Sequence, residues 1–137
     1  MERTINGNLD EFNFPFIGVG VSNPLTSKEM VIKSIIDTGA AHCLLQKEII
    51  DELGLNKVSD STIMHPVNGL LQSGNYLIDL ILDIHNPIGS AKCLQVRVGT
   101  LDQLDYPAGM IIGVEFLQFC KFDYNGFDKT FTLNFRI

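Results

Sequence analysis

Short β-rich segments separated by turn residues run along almost the whole chain, and they restrict the fold to a mainly β one. The segments "FNFPFIGVGV" (12–21) and "EMVIKSIID" (29–37) flank the turn "SNPLTS" and predict a hairpin. The segment "NYLIDLILDI" (75–84) alternates apolar and polar side chains, as a half-buried strand does. Further strands are predicted in three places: residues 91–100, residues 110–113, and the segments "CKFDY" and "TFTLNFRI" on either side of the turn "NGFDK".

One segment has the periodicity of a helix. In "LLQKEIIDELGL" (44–55), four apolar residues recur on one helical face: Leu45, Ile49, Ile50 and Leu53. Gly54 follows, at a position where glycine commonly ends a helix. We therefore expect one clear helix, packed as a short amphipathic cover over the sheet, and at most one further short helix.

The composition is that of one globular domain. Apolar residues make up 45% of the 137 residues and charged residues 19%, which argues against a disordered chain. A chain of this length buries roughly 70% of the surface that its unfolded form exposes, so we expect a single domain over residues 1–137. No apolar run reaches the roughly 18 residues of a membrane span, and "MERTINGNLDEF" lacks the basic and apolar regions of a signal peptide. We expect a cytoplasmic protein with no membrane partner.

The charge balance argues against nucleic acid as a ligand. Ten basic residues against sixteen acidic ones give a net charge of −6. No cluster of lysine and arginine is present that could follow a phosphate backbone. We therefore expect no nucleic-acid partner.

The three cysteines are far apart in sequence and lack the spacing of zinc ligands: Cys43, Cys93 and Cys120. An odd number of scattered cysteines argues against a disulfide framework and fits a reducing compartment. His42 adjoins Cys43, but neighbouring residues of an extended chain point to opposite faces and do not form a catalytic dyad. The sequence leaves open, as the weaker interpretation, a thiol paired with His65 or His85.

The segment "KSIIDTGAAHCLL" (33–45) carries the strongest indication of function. Asp37 directly follows an apolar run and directly precedes Thr38 and Gly39. A strand that ends in a carboxylate, then a hydroxyl and a glycine, presents the carboxylate from a tight turn whose backbone can be approached closely. The alternative is a strand end closed by an Asx-type turn with no chemical role. The motif alone leaves both interpretations open.

Three features in order along the chain resemble the retropepsin-like aspartic proteases, the single-domain relatives of pepsin. The first is "IIDTGAAHCLL", which carries the apolar-apolar-Asp-Thr-Gly-Ala pattern. The second is the glycine-bearing hairpin around Val67, Asn68 and Gly69, where the family has its flap. The third is "MIIGVEFL" (110–117), which matches the apolar-apolar-Gly element before the family's C-terminal helix. The resemblance implies a closed pepsin-like (retropepsin) β-barrel with one or two short helices, which forms half of a two-fold symmetric dimer.

The resemblance implies a peptidase that hydrolyses peptide or protein substrates with two aspartates. The chain has one Asp-Thr-Gly motif and so supplies half a site, which implies a homodimer in which two Asp37 carboxylates meet across the axis. Two neighbouring carboxylates share one proton; the charged one activates a water molecule and the protonated one polarises the scissile carbonyl. The catalytic residues implied are Asp37, Thr38 and Gly39, and no metal or other cofactor is implied.

Six residues are implied to form the substrate-binding part of the site: Ala40, Ala41, Val67, Asn68, Gly69 and Ile112. The three flap residues among them would be a mobile cover that excludes water. Ile112 and Gly113 would back the active-site loop. Ala40 brings no hydroxyl group to the carboxylates, so we expect a working pH less acidic than that of pepsin.

The chain departs from the viral members of the family at two positions. Those members carry an acidic residue and an arginine, paired with each other, at the positions of Ala41 and Val114. Both halves of the ion pair are missing together, so no buried charge is left unpaired. This departure favours the cellular and bacterial branch of the family.

The C-terminal segment indicates where the two chains of a dimer would meet. In viral members the chain ends interleave into a shared sheet, and "TLNF" (132–135) resembles that terminal strand. We expect residues 130–137 to pair with a partner chain, which would also cover an apolar strand that is prone to aggregate.

Two other functions compete with the peptidase. A catalytically silent member would keep the same dimeric fold as a peptide-binding or dimerisation module. A phosphatase-type nucleophile would need a second carboxylate two residues after Asp37, where Gly39 stands. The intact Asp-Thr-Gly motif favours the peptidase over both.

Overall fold

The computed structural model describes residues 2–65, 69–102 and 107–136, and over these ranges the chain is mainly β. The strands are β1 (Glu2–Asn8), β2 (Phe16–Ser22), β3 (Glu29–Ile36), β4 (Leu44–Gln46), β5 (Ser59–His65), β6 (Gly69–Leu82), β7 (Ala91–Leu101), β8 (Met110–Ile112), β9 (Cys120–Asn125) and β10 (Thr130–Arg136). The helices are α1 (Lys47–Glu52) and α2 (Val114–Leu117). Within the described ranges, no helix has the length and apolar character needed to cross a membrane.

Six of the strands close into a barrel. They are hydrogen-bonded in the order β2-β3-β8-β4-β7-β6, and β6 pairs back onto β2 between residues 79–81 and residues 20–22. β3 and β8 run parallel, as do β4 and β7. Closure leaves these six strands without a free edge along the barrel. The mainly β fold class, with a closed barrel and two short helices, is confirmed.

The core of the molecule is filled by apolar side chains of the barrel strands. Those with no exposed surface include Val19, Val21, Ile78, Leu80, Val98, Met110 and Ile112. α1 packs on the same core through Ile49 and Ile50, which are both buried. The helix is therefore the amphipathic cover that its periodicity predicts.

The first predicted hairpin is confirmed, but its first strand begins later than the sequence pattern indicates. β2 and β3 pair antiparallel along their whole length. β2 begins at Phe16 because the Asp10 carboxylate accepts hydrogen bonds from the backbone N–H groups of Phe12 and Phe14 (2.9 and 3.0 Å). These bonds fold the preceding residues into a turn rather than a strand.

The helix predicted over residues 44–55 is shorter than expected. α1 covers only Lys47–Glu52, while residues 44–46 form β4 between β7 and β8. Backbone pairing on both sides of those three residues outweighs their helical periodicity. The predicted stop at Gly54 is confirmed, because this residue has a φ of +65° and its N–H donates to the Asp51 carbonyl (3.1 Å).

β5 and the first half of β6 form the hairpin that the sequence predicts between the Asp-Thr-Gly segment and β8. Residues 59–65 pair antiparallel with residues 69–75, and β6 then continues into the barrel. Gly69 is the first residue of the second arm. Val67 and Asn68 lie outside the described residues.

A separate antiparallel sheet is formed by β1, β10 and β9, in that order. β10 is its central strand, hydrogen-bonded to β1 on one edge and to β9 on the other. Its inward side chains, Phe131, Leu133 and Phe135, are buried in the core. The expectation that residues 130–137 pair with a partner chain is therefore wrong for residues 130–136, because both edges of this strand are occupied within the chain.

Candidate active site

Asp37 stands at the end of β3, where the chain leaves the barrel. Its backbone N–H donates to the Ile112 carbonyl at the end of β8 (2.9 Å), so the start of the loop is tied to the neighbouring strand. Asp37 is half-buried, whereas Thr38 and Gly39 are exposed. The carboxylate therefore lies at the start of an exposed loop, and the backbone at this point is fixed to β8 by a hydrogen bond.

The Asp37 carboxylate closes the turn that follows it. Oδ1 accepts a hydrogen bond from the Gly39 N–H (2.9 Å), and the Ala40 N–H donates to the Asp37 carbonyl (3.2 Å). This is the Asx-type geometry that the sequence leaves open as an alternative. A Cβ at position 39 would lie 3.2 Å from Oδ1, a tight contact that glycine avoids. The turn fixes the orientation of the carboxylate, whichever role that carboxylate has.

The residues after this turn rest on the N-terminus of α2. The Val114 N–H donates to the Ala40 carbonyl (2.8 Å), and the Glu115 N–H donates to the Ala41 carbonyl (3.0 Å). N–H groups in the first turn of a helix have no partner within the helix, so they are available for such contacts. The active-site loop, defined here as residues 37–42, is thus held at both ends by backbone hydrogen bonds.

Gly113 lies directly beneath the active-site loop. A Cβ at this position would lie 2.4 Å from the His42 carbonyl oxygen and 2.7 Å from the Ala40 carbonyl oxygen. Backbone atoms cannot give way as the end of a side chain can, so a larger residue would displace the loop. The side chain of the preceding residue, Ile112, is fully buried in the core. The structure places both residues under the loop rather than on its surface.

An open cavity of about 410 Å³ adjoins Asp37. It is lined by Asn13, Phe14, Pro15, Ile35, Ile36, Asp37, Thr38, Phe122 and Tyr124. The Tyr124 hydroxyl donates to the Asn13 carbonyl (3.0 Å) and joins the β9 wall of the cavity to the turn before β2. Phe14 and Tyr124 could not be predicted as part of the site, because no local pattern shows that residues so far apart in the chain meet.

Solved structures resemble the chain, whereas no protein-family model and no curated protein matches it. A retropepsin-like aspartic protease from Rickettsia conorii superposes with a TM-score of 0.71 at 19% sequence identity, covering 98% of this chain and 92% of that one. The EIAV protease, complexed with the inhibitor HBY-793, superposes with a TM-score of 0.51 at 17% identity, covering 77% of this chain and 86% of that one. The chain has a retropepsin-like fold. The resemblance predicted from the motifs is confirmed at the level of the fold.

The retropepsin-like fold brings most of the predicted site residues into one place. Residues 37–41 form a continuous loop, with Ile112 beneath it. Gly69 is paired with His65 at the described end of the β5–β6 hairpin. Val67 and Asn68 lie outside the described residues, so the closure of this hairpin over Asp37 stays a prediction.

Cys43, which directly follows the active-site loop, is poorly suited to act as a nucleophile. Its side chain is buried, and burial raises the pKa of the thiol. Burial, with a smaller contribution from Cys93, also raises the pKa of Cys120 to about 11. A thiol with a raised pKa is mostly protonated at neutral pH, whereas the nucleophile is the thiolate. These shifts agree with the sequence argument against a catalytic cysteine.

The described part of the chain contains no group of three or more His, Cys, Asp or Glu side chains placed to hold a metal ion.

Proposed function

We propose that the protein is an aspartic endopeptidase whose active site is completed by a second copy of the chain. The observation that carries the proposal is the Asp37 carboxylate, which heads an exposed loop fixed to β8 and α2 in a retropepsin-like fold. Both solved structures described above are named as proteases, which supports the same reaction class. The sequence contains the Asp-Thr-Gly motif once, so a pair of such carboxylates requires two chains.

In the proposed reaction, the two Asp37 carboxylates share one proton, because two adjacent negative charges are unfavourable. The ionised carboxylate takes a proton from a water molecule whose oxygen attacks the scissile carbonyl carbon, while the protonated carboxylate donates its proton to the carbonyl oxygen. When the tetrahedral intermediate collapses, the C–N bond breaks and the amine leaves with the proton that came from water. A hydroxyl of the intermediate returns its proton to the second carboxylate, which restores the starting state.

The other residues of the loop have supporting roles in this proposal. Thr38 hydrogen-bonds the opposite loop across the two-fold axis and keeps the two carboxylates in register. Gly39 allows the substrate to approach the backbone closely. Ala40 and Ala41 contact an extended peptide from below, and the hairpin that carries Gly69 covers it from above and excludes water.

A peptide with a statine-type hydroxyl in place of the scissile bond tests this mechanism. We expect it to bind at least about a hundredfold more tightly than the matching substrate, because the hydroxyl mimics the tetrahedral intermediate and gains contacts that the ground state lacks. The measurement is the inhibition constant against the KM of that substrate. A chelator and a thiol reagent are the controls and should leave the rate unchanged. Inhibition by the chelator that added metal reverses would place the enzyme in a different class.

A catalytically silent peptide-binding module is the second candidate. β5 ends the strand order of its sheet, so its outer edge has no strand partner in the described part of the chain. A strand edge of this kind can bind an extended peptide by main-chain hydrogen bonds. Peptide binding by the wild type, with no cleavage at any pH between about 4 and 8, would favour the module over the enzyme.

A further inference from the structure

Three charged or titratable side chains from three different elements meet beside the active-site loop. Arg97 of β7 donates through Nη2 to Glu115 Oε2 of α2 at 2.6 Å. The same Nη2 lies 3.2 Å from Nδ1 of His42, the last residue of the active-site loop. His42 Nδ1 and Glu115 Oε2 are 3.6 Å apart. The cluster therefore connects the loop, the helix under it and the barrel wall.

The cluster lies where the loop needs support. α2 has only four residues, and an isolated helix of one turn is not stable on its own. Yet the backbone N–H of Glu115 holds the Ala41 carbonyl of the loop (3.0 Å). The Arg97 contact ties the Glu115 side chain to β7, a central strand of the barrel. Any displacement of Glu115 would be passed directly to the loop that carries Asp37.

The partial burial of Glu115 distinguishes this ion pair from one between two fully exposed side chains, although the Arg97 side chain is 41% exposed. Its side chain is 31% exposed, and its Oε1 atom is buried with no hydrogen-bond partner among the described residues. The carboxylate therefore depends on Arg97 to offset its partial desolvation. The neighbouring positions in the loop and helix, Ala41 and Val114, carry no charge. In this part of the molecule, the charged link between loop and barrel passes through Arg97 and Glu115.

We propose that Arg97 and Glu115 are positioning residues that hold the active-site loop in the geometry that the Asp37 carboxylate needs. The inference rests on the proposed peptidase function for its kinetic consequence, but the anchoring of the loop is a separate physical property. Arg97 acts through Glu115 and α2 and through its contact with His42 at the end of the loop. In this proposal it contacts neither the substrate nor the reacting atoms.

The test replaces Arg97 by alanine and follows two readouts. The first is hydrogen–deuterium exchange of residues 37–42, which we expect to rise about tenfold or more while exchange in β2 is unchanged. The second is peptide hydrolysis, where we expect kcat to fall about tenfold or more with KM changed less than about twofold, because the catalytic group is misplaced and substrate contacts remain. Arg97→Lys, which keeps the charge, should recover part of both effects.

Two further variants separate anchoring from general damage. Lys92→Ala removes another cation of β7, which faces Asp79 at 3.6 Å, and should leave both readouts at wild-type values. Glu115→Gln keeps the shape of the side chain and removes its charge, so it should also loosen the loop. This variant provides the test if Arg97→Ala does not fold.

The proposal is overturned if Arg97→Ala and Glu115→Gln both fold and the backbone amides of residues 37–42 exchange hydrogen for deuterium at the wild-type rate in both. It is also overturned if KM rises while kcat stays unchanged, since that result assigns the pair to substrate binding. If the wild type hydrolyses no peptide, the proposed function fails, and the exchange readout alone decides whether the pair anchors the loop.

Discussion

Asp37→Asn is expected to lower peptide hydrolysis by about a thousandfold or more while leaving the fold intact. The amide has nearly the same shape as the carboxylate, and its oxygen can still accept the hydrogen bond that the Gly39 N–H donates to Oδ1 (2.9 Å). It cannot take up a proton from water, and this is the step that the proposed mechanism requires of the ionised partner. The turn at residues 37–39 should therefore persist in the variant, while peptide hydrolysis is lost.

The measurement is kcat/KM on a peptide substrate, with thermal unfolding as the check on the fold. Asp51→Asn is a matched control, because this aspartate lies on α1 and its side chain is 66% exposed. The control should retain wild-type activity. Near wild-type hydrolysis by Asp37→Asn, in protein free of contaminating protease, would rule out an aspartic mechanism.

Gly113→Ala is expected to reduce activity about a hundredfold, because the active-site loop cannot keep its position. The added Cβ would lie 2.4 Å from the His42 carbonyl oxygen and 2.7 Å from the Ala40 carbonyl oxygen. Relieving those contacts displaces backbone, and overpacking of this kind costs about 1–3 kcal/mol of stability. The loss of activity should exceed what the fraction of unfolded protein explains.

Gly18→Ala is the control for the added methyl group. This glycine is exposed on β2, and among the described residues its Cβ would meet only Ile84 Cδ1, at an ordinary contact distance of 3.5 Å. Denaturant unfolding and kcat/KM should both stay close to wild type for this variant. Wild-type kinetics in Gly113→Ala would mean that the loop geometry is not what limits the reaction.

The barrel hairpins and the position of Asp37 could be predicted because each has a local signal. β2 and β3 are β-rich and separated by a turn sequence, and the Asp-Thr-Gly motif sits directly at the end of β3. Gly54 likewise has a local reason, since a φ of +65° favours glycine. Elements whose structure is determined by neighbouring residues, such as turns and helix ends, are the ones that can be predicted from the sequence.

β1 shows what local patterns miss. Its sequence, "ERTINGN", contains a single strongly apolar residue, Ile5, and does not resemble a strand that builds a core. It forms a strand because all seven of its residues pair with β10, which comes from the other end of the chain. The same pairing places β10 in the middle of a sheet. Deleting residues 131–137 would therefore remove the buried side chains of a central strand and would not serve as a test of dimerisation.

The surroundings of the candidate site could not be predicted either, because the residues that meet there are far apart in the sequence. Tyr124 and Asn13 are separated by 111 positions, and Arg97 and His42 by 55, yet each pair is in hydrogen-bonding contact. Tyr124 belongs to the separate β1-β10-β9 sheet and Arg97 to the barrel, so both contacts follow from the way distant segments pack in the fold and not from any nearby sequence pattern. The motif located the carboxylate, and the fold determined what supports it.

The most direct test of a site shared by two chains is specific activity measured through the concentration range in which sedimentation shows the dimer dissociating. Activity per chain should fall in step with the dimer fraction and return when the protein is concentrated again. Constant activity per chain, well into the range where sedimentation finds only monomer, would show that a single Asp37 suffices and that the site is not shared by two chains.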